Sequence, residues 1–505
     1  MDNQGPSTTP SLAPPKTTRA DWLTWIFVAL ISTSYFIGLT PGHIIAQDDF
    51  AAYVMHAANL VEGRTYAQIR YVANPAAPWI GPANGYPPAY PLLLAPVYWQ
   101  RGLDLRAMKI VTVFTFAIFL AAYAKWIQPQ VPPSTRVVAV LVVGLNPALW
   151  TYRDFISSEF PYLMFSFLAL LAIQRANTKS KDFWNPGWAV LVAVLMYAAY
   201  ATRTIGIALP IALVCAELGR QERRTRFLLL TLALLAAFIA IQAAVITSPA
   251  GYVSVMHISA ASVLTNFWSY AKSLTFAWHN GYSKSAQIAL GIVGTALAAI
   301  ALVRRNRRGA SLEASYLLAY LAILTAWGTQ IGIRGLLPIL PIYLTYVLLG
   351  LSDAAASSSR QAARAFLTGA ALCITCSYVS GLWHRFPQAS VVNVNDASTQ
   401  ELFSFLRAQT APSDLLVFSK PRTLSLFTGR TTTSLGPDEA PPDSVQFLQR
   451  TGVRFLVQVP WNPPAYQQVI AQQGAAMTEV FRNRDFQVLR LQFEDDGQTQ
   501  HVASR

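Results

Sequence analysis

Apolar runs close to the length of a membrane-crossing helix recur along this chain, and nothing constrains its fold more. They fall at 22–40, 107–126, 136–152, 160–176, 226–246, 286–303, 312–331, 335–351 and 365–383. A helix rises about 1.5 Å per residue and a bilayer's hydrocarbon core is about 30 Å thick, so each run approaches or reaches one span. The 505 residues are 53% hydrophobic and only 12% charged, too little charge for the surface of an ordinary soluble protein. The chain reads as a polytopic α-helical membrane protein.

Two stretches need separate treatment. Residues 85–100, GYPPAYPLLLAPVYWQ, carry Pro87, Pro88, Pro91 and Pro96, which would leave a spanning helix short and repeatedly broken. They are predicted to lie in the membrane interface. The run from Trp188 to Glu217 is long for one helix, and Arg203 near its middle would cost about 3 kcal/mol or more if it faced lipid. Two short helices meeting at Arg203 avoid that cost. This division gives about eleven spans and places nearly all Lys/Arg clusters on one side: Lys16/Arg19, Lys125/Arg136, Arg175/Lys179/Lys181, and those within 220–226, 304–308 and 360–364. By the positive-inside rule that side is the cytoplasm, with the N-terminus inside and the C-terminus outside. The net charge of +14 is thereby absorbed in short loops, and nucleic-acid binding is not expected.

The first 20 residues, rich in Pro, Ser and Thr, read as a disordered cytoplasmic tail. No cleavage motif follows Trp22–Leu39, which is therefore taken as an uncleaved first helix. Residues 21–384 form the membrane domain, with an outer loop at 41–105 that carries juxtamembrane helices. From 385 to 505 the chain becomes more polar. Short β-rich runs at 415–419, 453–459 and 486–493 alternate there with helix-like stretches at 397–409, 443–451 and 464–473, which predicts a small α/β domain on the outer face. The three cysteines lie inside apolar runs, so no disulfide framework is expected.

In a chain this poor in charge, the residues left at the outer boundary stand out. Asp48 and Asp49 follow Pro41-Gly42 and precede FAAYVMHAANL; the plain structural alternative is that Asp49 caps a helix. Glu159 opens another helix after Ser157 and Ser158, where a first-turn acid is ordinary. Arg203 and Arg334 sit at the outer ends of apolar helices, where arginines also serve as interfacial anchors. A guanidinium pair facing a cavity with carboxylates is equally what a lipid phosphate beside a general base requires, because Arg matches phosphate oxygens bidentately. The aromatic and basic loop 247–285, with His257, Lys272, His279 and Lys284, is placed to cover such a site, though Trp and Tyr collect at interfaces in any case.

The order of these features resembles a family. One span is followed by an acid four residues before Tyr53, then by GYPPAYPLLLAP, Arg106, Glu159, TR at 202–203 and RGLLPILP at 334–341. This order is similar to that of GT-C glycosyltransferases, in the branch of protein O-mannosyltransferases and the lipid A aminoarabinose transferase. The resemblance implies that an Asp of the first outer loop is the catalytic base, Asp49 by its spacing to Tyr53, with Asp48 in reserve. It also implies a polyprenyl-phosphate sugar as donor, a hydroxyl on a lipid, glycan or protein as acceptor, and a bacterial inner membrane with the active site facing outward.

The function expected is an inverting hexosyl or pentosyl transfer. Arg203 and Arg334 would hold the donor phosphate, Asp49, Asp48 and Glu159 are the catalytic candidates, and Tyr53, Tyr86, His257, Lys272, His279 and Lys284 are the candidate donor or acceptor contacts. No cofactor and no metal ligand set is assigned, although metal-using relatives leave a divalent ion open. The competing class is a transporter or flippase for a lipid-linked sugar. Transporters place charges or broken helices near the bilayer midplane and often show repeats, whereas here the acids gather at one surface and no repeat is visible.

Overall fold

The computed structural model describes residues 18–77, 80, 86–178, 185–220, 224–246, 259–279, 283–307, 309, 311–328, 330–355, 369–370, 373–380, 392–436 and 439–492. Within them the predicted runs form helices whose ends are set by local chemistry. Arg19–Phe36 begins at Thr18 with a reciprocal capping box to Asp21. Leu105–Ile127 starts where Asp104 accepts from the Ala107 amide at 2.9 Å. The run 136–152 is broken: Pro133–Gly144 stops, and Asn146 caps a new short helix, Pro147–Thr151, that opens on proline. Glu159–Thr178, Thr225–Val245 and Lys284–Arg305 are continuous. The run 312–331 gives Leu312–Thr325, and 335–351 gives a short turn, Ile333–Leu336, followed by Leu340–Ala355. Of the run 365–383 only 369–370 and 373–380 are described. The proline-rich segment forms a helix of 13 residues, Ala89–Arg101.

Trp188–Glu217 divides as its arginine demands. Pro186–Tyr200 ends, Arg203 lies in extended backbone, and Thr204–Ile207 turns into Ala208–Leu218. Gly206 makes this sharp break tolerable, because a Cβ there would stand 2.6 Å from the Tyr200 amide nitrogen and 2.8 Å from the Ala199 carbonyl carbon. Gly206→Ala is therefore expected to cost about 1–3 kcal/mol as the break is forced open. Thermal unfolding of the detergent-solubilised protein checks this, and an unchanged Tm would mean the break has slack.

Leu105–Ile127 packs along Glu159–Thr178 through buried rings, Phe116 against Phe160 and Phe119 against Phe167, while Tyr35 stacks on Phe116 at 4.0 Å. The outer helices are different. In the most apolar stretch of Thr225–Val245 only 11% of residues are buried, against 61% in Leu105–Ile127. An apolar helix left uncovered by protein needs an apolar solvent, and Leu105–Ile127, Thr225–Val245 and Lys284–Arg305 are each long enough to cross a bilayer, as is the interrupted helical run Pro133–Asp154 taken as a whole. The protein is a multi-pass membrane protein.

The C-terminal region folds as an α/β unit around one sheet. Its strands are β1 (Leu415–Val417), β2 (Thr431–Thr433), β3 (Val453–Gln458), β4 (Met477–Arg482) and β5 (Gln487–Leu491), in the order β2-β1-β3-β5-β4. Pairing is parallel at β1–β2 and β1–β3 and antiparallel at β3–β5 and β4–β5. Helices Ala397–Gln409, Pro421–Thr428, Pro441–Thr451 and Pro464–Gln473 flank it, and Gly429 and Gly452 end two of them in the left-handed conformation. β2, β4 and helix Pro421–Thr428 go beyond the elements read from sequence.

This unit is sewn to the loop after the first helix. Tyr71 bridges Thr432 as an extra parallel partner of β2, with the Val72 amide donating to the Thr432 carbonyl at 2.8 Å. Ile44 bridges Asn393. Phe50, Val54 and Leu94 share one buried cluster with Val394, Leu402, Phe418 and Phe455, so the two parts are joined by a common core.

Candidate functional site

The junction of bundle and sheet gathers the charges. Asp49 is the first residue of helix Asp49–Val61, and Glu159 the first of Glu159–Thr178, so the positive ends of two helix dipoles favour their ionised forms. Arg334 lies in the turn Ile333–Leu336 and reaches both: its Nη1 donates to Asp49 Oδ2 at 2.5 Å and its Nε to Glu159 Oε1 at 2.5 Å. From the break after Tyr200, Arg203 pairs with the same Glu159 oxygen and lies 3.4 Å from Ser158 Oγ, which also accepts from the Tyr53 hydroxyl at 2.9 Å. The Tyr86 hydroxyl donates to Asp49 Oδ1 at 2.5 Å. The structure thus brings together Asp49, Glu159, Arg203, Arg334, Tyr53 and Tyr86.

Their exposure differs in a telling way. The Glu159 side chain is sealed at 0%, while Asp49 keeps 27%, Arg334 20% and Arg203 17%. Glu159 is placed to neutralise and aim two arginines from behind, and Asp49 is the carboxylate an incoming molecule can meet. Burial works against its charge, but the Arg334 and Arg422 guanidiniums and the Tyr86 hydroxyl outweigh it and hold Asp49 well below the usual carboxylate range.

Asp48 points elsewhere. It occupies the cap position of helix Asp49–Val61 but makes no side-chain cap bond there. Its oxygens instead accept the Thr423 amide at 2.7 Å and the Arg422 amide at 3.3 Å, capping helix Pro421–Thr428 from another part of the chain. Burial pushes its pKa up, against the pull of Arg422 and the Thr423 amide. Asp48→Ala is expected to cost about 1–2 kcal/mol and to loosen the sheet unit from the bundle. Thermal unfolding with limited proteolysis checks this, and a wild-type Tm with unchanged cleavage would refute it.

Two participants escaped the sequence reading. Arg422, 373 residues from Asp49, enters the cluster from the sheet unit; its Nη1 lies 2.8 Å from the Tyr86 hydroxyl and 3.4 Å from Asp49 Oδ1. Sequence pattern gives no signal for a contact at that separation. Lys109 did leave one, a cation inside an apolar run. It is fully buried and donates to Gly42 O at 2.6 Å, Thr40 Oγ1 at 2.9 Å and Asp154 Oδ1 at 2.9 Å, pinning the turn that leads into Asp48-Asp49.

Of the remaining candidates, Lys272 ends helix Ala260–Leu274 and is exposed, as is Lys284 at the start of Lys284–Arg305. His279 meets Gln287 at 3.1 Å and stacks on Phe276. His257 lies outside the described residues. Among the described residues no three His, Cys, Asp or Glu side chains gather as a metal set. Asp49 and Glu159 already face guanidinium N–H groups, a donor arrangement that fits an anion against the arginines better than a cation between the acids.

A bundle of apolar helices, joined to a small mixed sheet with a buried charge cluster at the seam, defines a polytopic membrane protein. Comparison with known proteins agrees on the fold. No family model matches the sequence, and no curated protein matches it. Solved structures do. The chain is similar to ArnT from Cupriavidus metallidurans bound to undecaprenyl phosphate, with TM-score 0.53, 14% identity, and coverage of 94% of this chain and 98% of that one. It is also similar to the Archaeoglobus fulgidus oligosaccharyltransferase in complex with Zn and sulfate (TM-score 0.58, 12% identity, 86% of this chain and 68% of that one). A third match is the archaeal oligosaccharyltransferase AglB from Archaeoglobus fulgidus with an inhibitory peptide and a dolichol-phosphate (TM-score 0.55, 12% identity, 87% and 69%). At such identities the likeness is one of fold.

Proposed function

We propose that the protein is a glycosyltransferase that takes a sugar from a polyprenyl-phosphate donor and passes it to an acceptor hydroxyl, with inversion. The observation that carries this reading is the Arg334 bridge between an exposed and a sealed carboxylate, with Arg203 on the same sealed carboxylate. The fold likeness to proteins bound to undecaprenyl phosphate and dolichol-phosphate supports a lipid phosphate as part of the donor.

The donor phosphate lies against Arg203 and Arg334, and its isoprenoid tail runs between the helices. The acceptor oxygen attacks the anomeric carbon from the face opposite the phosphate. The bond from that carbon to the phosphate oxygen breaks, and the acceptor proton passes to Asp49. In the resting site Asp49 is a weak base because Arg334 and Arg422 face it. When Arg334 turns to the phosphate, Asp49 loses part of that stabilisation and gains basicity as the donor arrives. The charge growing on the departing phosphate is met by guanidinium groups already in place, and Glu159 keeps them there. The site opens on the outer face of a bacterial inner membrane, where lipid-linked sugars and their acceptors meet.

A transporter or flippase is the competing reading, and the position of the charges disfavours it. They collect at helix starts beside the sheet unit, joined there in fixed ion pairs. The deciding experiment incubates purified protein with a panel of polyprenyl-phosphate sugars and follows donor consumption. Release of polyprenyl phosphate with at least one donor supports the enzyme, and no consumption across the panel refutes it.

A further inference from the structure

We infer that Arg422, supplied by the C-terminal α/β unit, is a positioning residue for the transfer reaction, setting the place of Asp49 and Tyr86 and making that unit an integral part of the active site. The inference rests on the glycosyltransferase reading above.

Arg422 is built in. It is 1% exposed, and its guanidinium lies over the rings of Tyr71, at 5.3 Å, and Tyr86, at 4.9 Å. Nη2 donates to the Ile80 carbonyl, while Nη1 faces the Tyr86 hydroxyl at 2.8 Å and Asp49 Oδ1 at 3.4 Å. A flat fork held on two ring faces and a carbonyl has little freedom, so the two groups it touches inherit its position. Its backbone is fixed as well, because Asp48 accepts its amide and that of Thr423.

The twin acids therefore divide two tasks. Asp48 anchors the start of helix Pro421–Thr428, and the second residue of that helix returns a cation to Asp49. This loop of contacts joins the first-loop helix, the segment before Ala89–Arg101 and the sheet unit. Arg422 is sealed, which distinguishes it from Arg334 and Arg203, whose side chains are open enough to take a phosphate. Its work is done through Asp49 and Tyr86.

A residue that only holds two parts of the fold together would, when replaced, lower the melting temperature and the yield without changing the ionisation of the base. A positioning residue changes that ionisation too. Asp49 faces Arg334 from the turn Ile333–Leu336, Arg422 from Pro421–Thr428, Tyr86 from the segment before Ala89–Arg101, Tyr53 on its own helix and Tyr152 from the turn Tyr152–Asp154, with Glu159 and Arg203 behind Arg334. Taking away one of the two cations facing Asp49 raises its pKa, so the acid limb of the kcat profile moves to higher pH.

The experiment measures donor consumption by the full chain in detergent from about pH 4 to pH 9, for wild type, Arg422→Met and Arg422→Lys. Arg422→Met is expected to lower kcat about 10- to 100-fold, with KM for the donor changed less than threefold and the acid limb shifted upward. Arg422→Lys keeps the charge but not the fork, so it should leave the acid limb near wild type while recovering only part of kcat. If Arg422→Met does not fold, Arg422→Lys decides alone: partial kcat with an unmoved acid limb supports the inference. Wild-type kcat in Arg422→Lys, or in a folded Arg422→Met with an unshifted limb, overturns it. If wild type itself consumes no donor, the glycosyltransferase reading fails and the inference with it; wild-type turnover with indifferent variants sinks the inference alone.

Discussion

Asp49→Asn is expected to lower donor turnover by about a thousandfold or more while leaving the protein folded. The amide keeps the size of the side chain and an oxygen to accept from Arg334, but it cannot take a proton from the acceptor hydroxyl. The fold should survive because the cations facing Asp49 have other partners: Arg334 keeps Glu159, and Arg422 keeps Tyr86 and the Ile80 carbonyl. Stability nevertheless carries a pH signature. The folded pKa of Asp49 is depressed, so its ionised form adds stability that is complete above the ordinary Asp value near 3.9 and fades as pH falls toward the folded value. The variant should therefore melt below wild type at pH 6 to 8, with the gap closing under acid. Turnover assays checked against the melting curve separate lost chemistry from lost folding, and wild-type turnover in Asp49→Asn would remove it as the base.

Arg334→Met has the second large effect, and here chemistry and stability fall together. Arg334 touches both carboxylates of the cluster, each at 2.5 Å. Its removal leaves a sealed carboxylate with one cation instead of two, so the loss should be large but fall below the about 3–5 kcal/mol typical of a buried charge left with no partner. Arg334→Lys separates the two roles. A point charge on a flexible stem can satisfy one acid or one phosphate oxygen but not the fork-shaped set, so the protein should fold while donor affinity falls at least about tenfold. Binding of polyprenyl phosphate to the folded Lys variant checks this, and unchanged affinity would mean that Arg334 is purely structural.

The sequence was most informative where one residue could be placed only one way. Arg203 could not sit in lipid, so the chain had to break there, and the helices end at Tyr200 and resume at Thr204. The apolar runs located most helices, although the breaks at Gly144 and after Leu336 depend on local caps and prolines that hydropathy averages away. Asp48 and Asp49 could not be told apart by pattern. Adjacent residues at a helix start point about 100° apart, so one meets the arginines and the other the sheet unit, and only the tertiary fold says which. Arg422 was invisible for a similar reason: its partners lie 336 and 373 residues away. Lys109 was legible in principle, as a cation within an apolar run, but its partners Thr40, Gly42 and Asp154 are scattered along the chain. β2 has three residues and β4 is half exposed, too short and too polar respectively to stand out as strands.

The most direct measurement is a structure of the protein in a lipid nanodisc with undecaprenyl phosphate added. The phosphate is expected within hydrogen-bond distance of Arg203 and Arg334, with Asp49 released from Arg334 and Arg422 unmoved between Tyr71 and Tyr86. A phosphate bound elsewhere, with Arg203 and Arg334 still closed on Glu159 and Asp49, would contradict this.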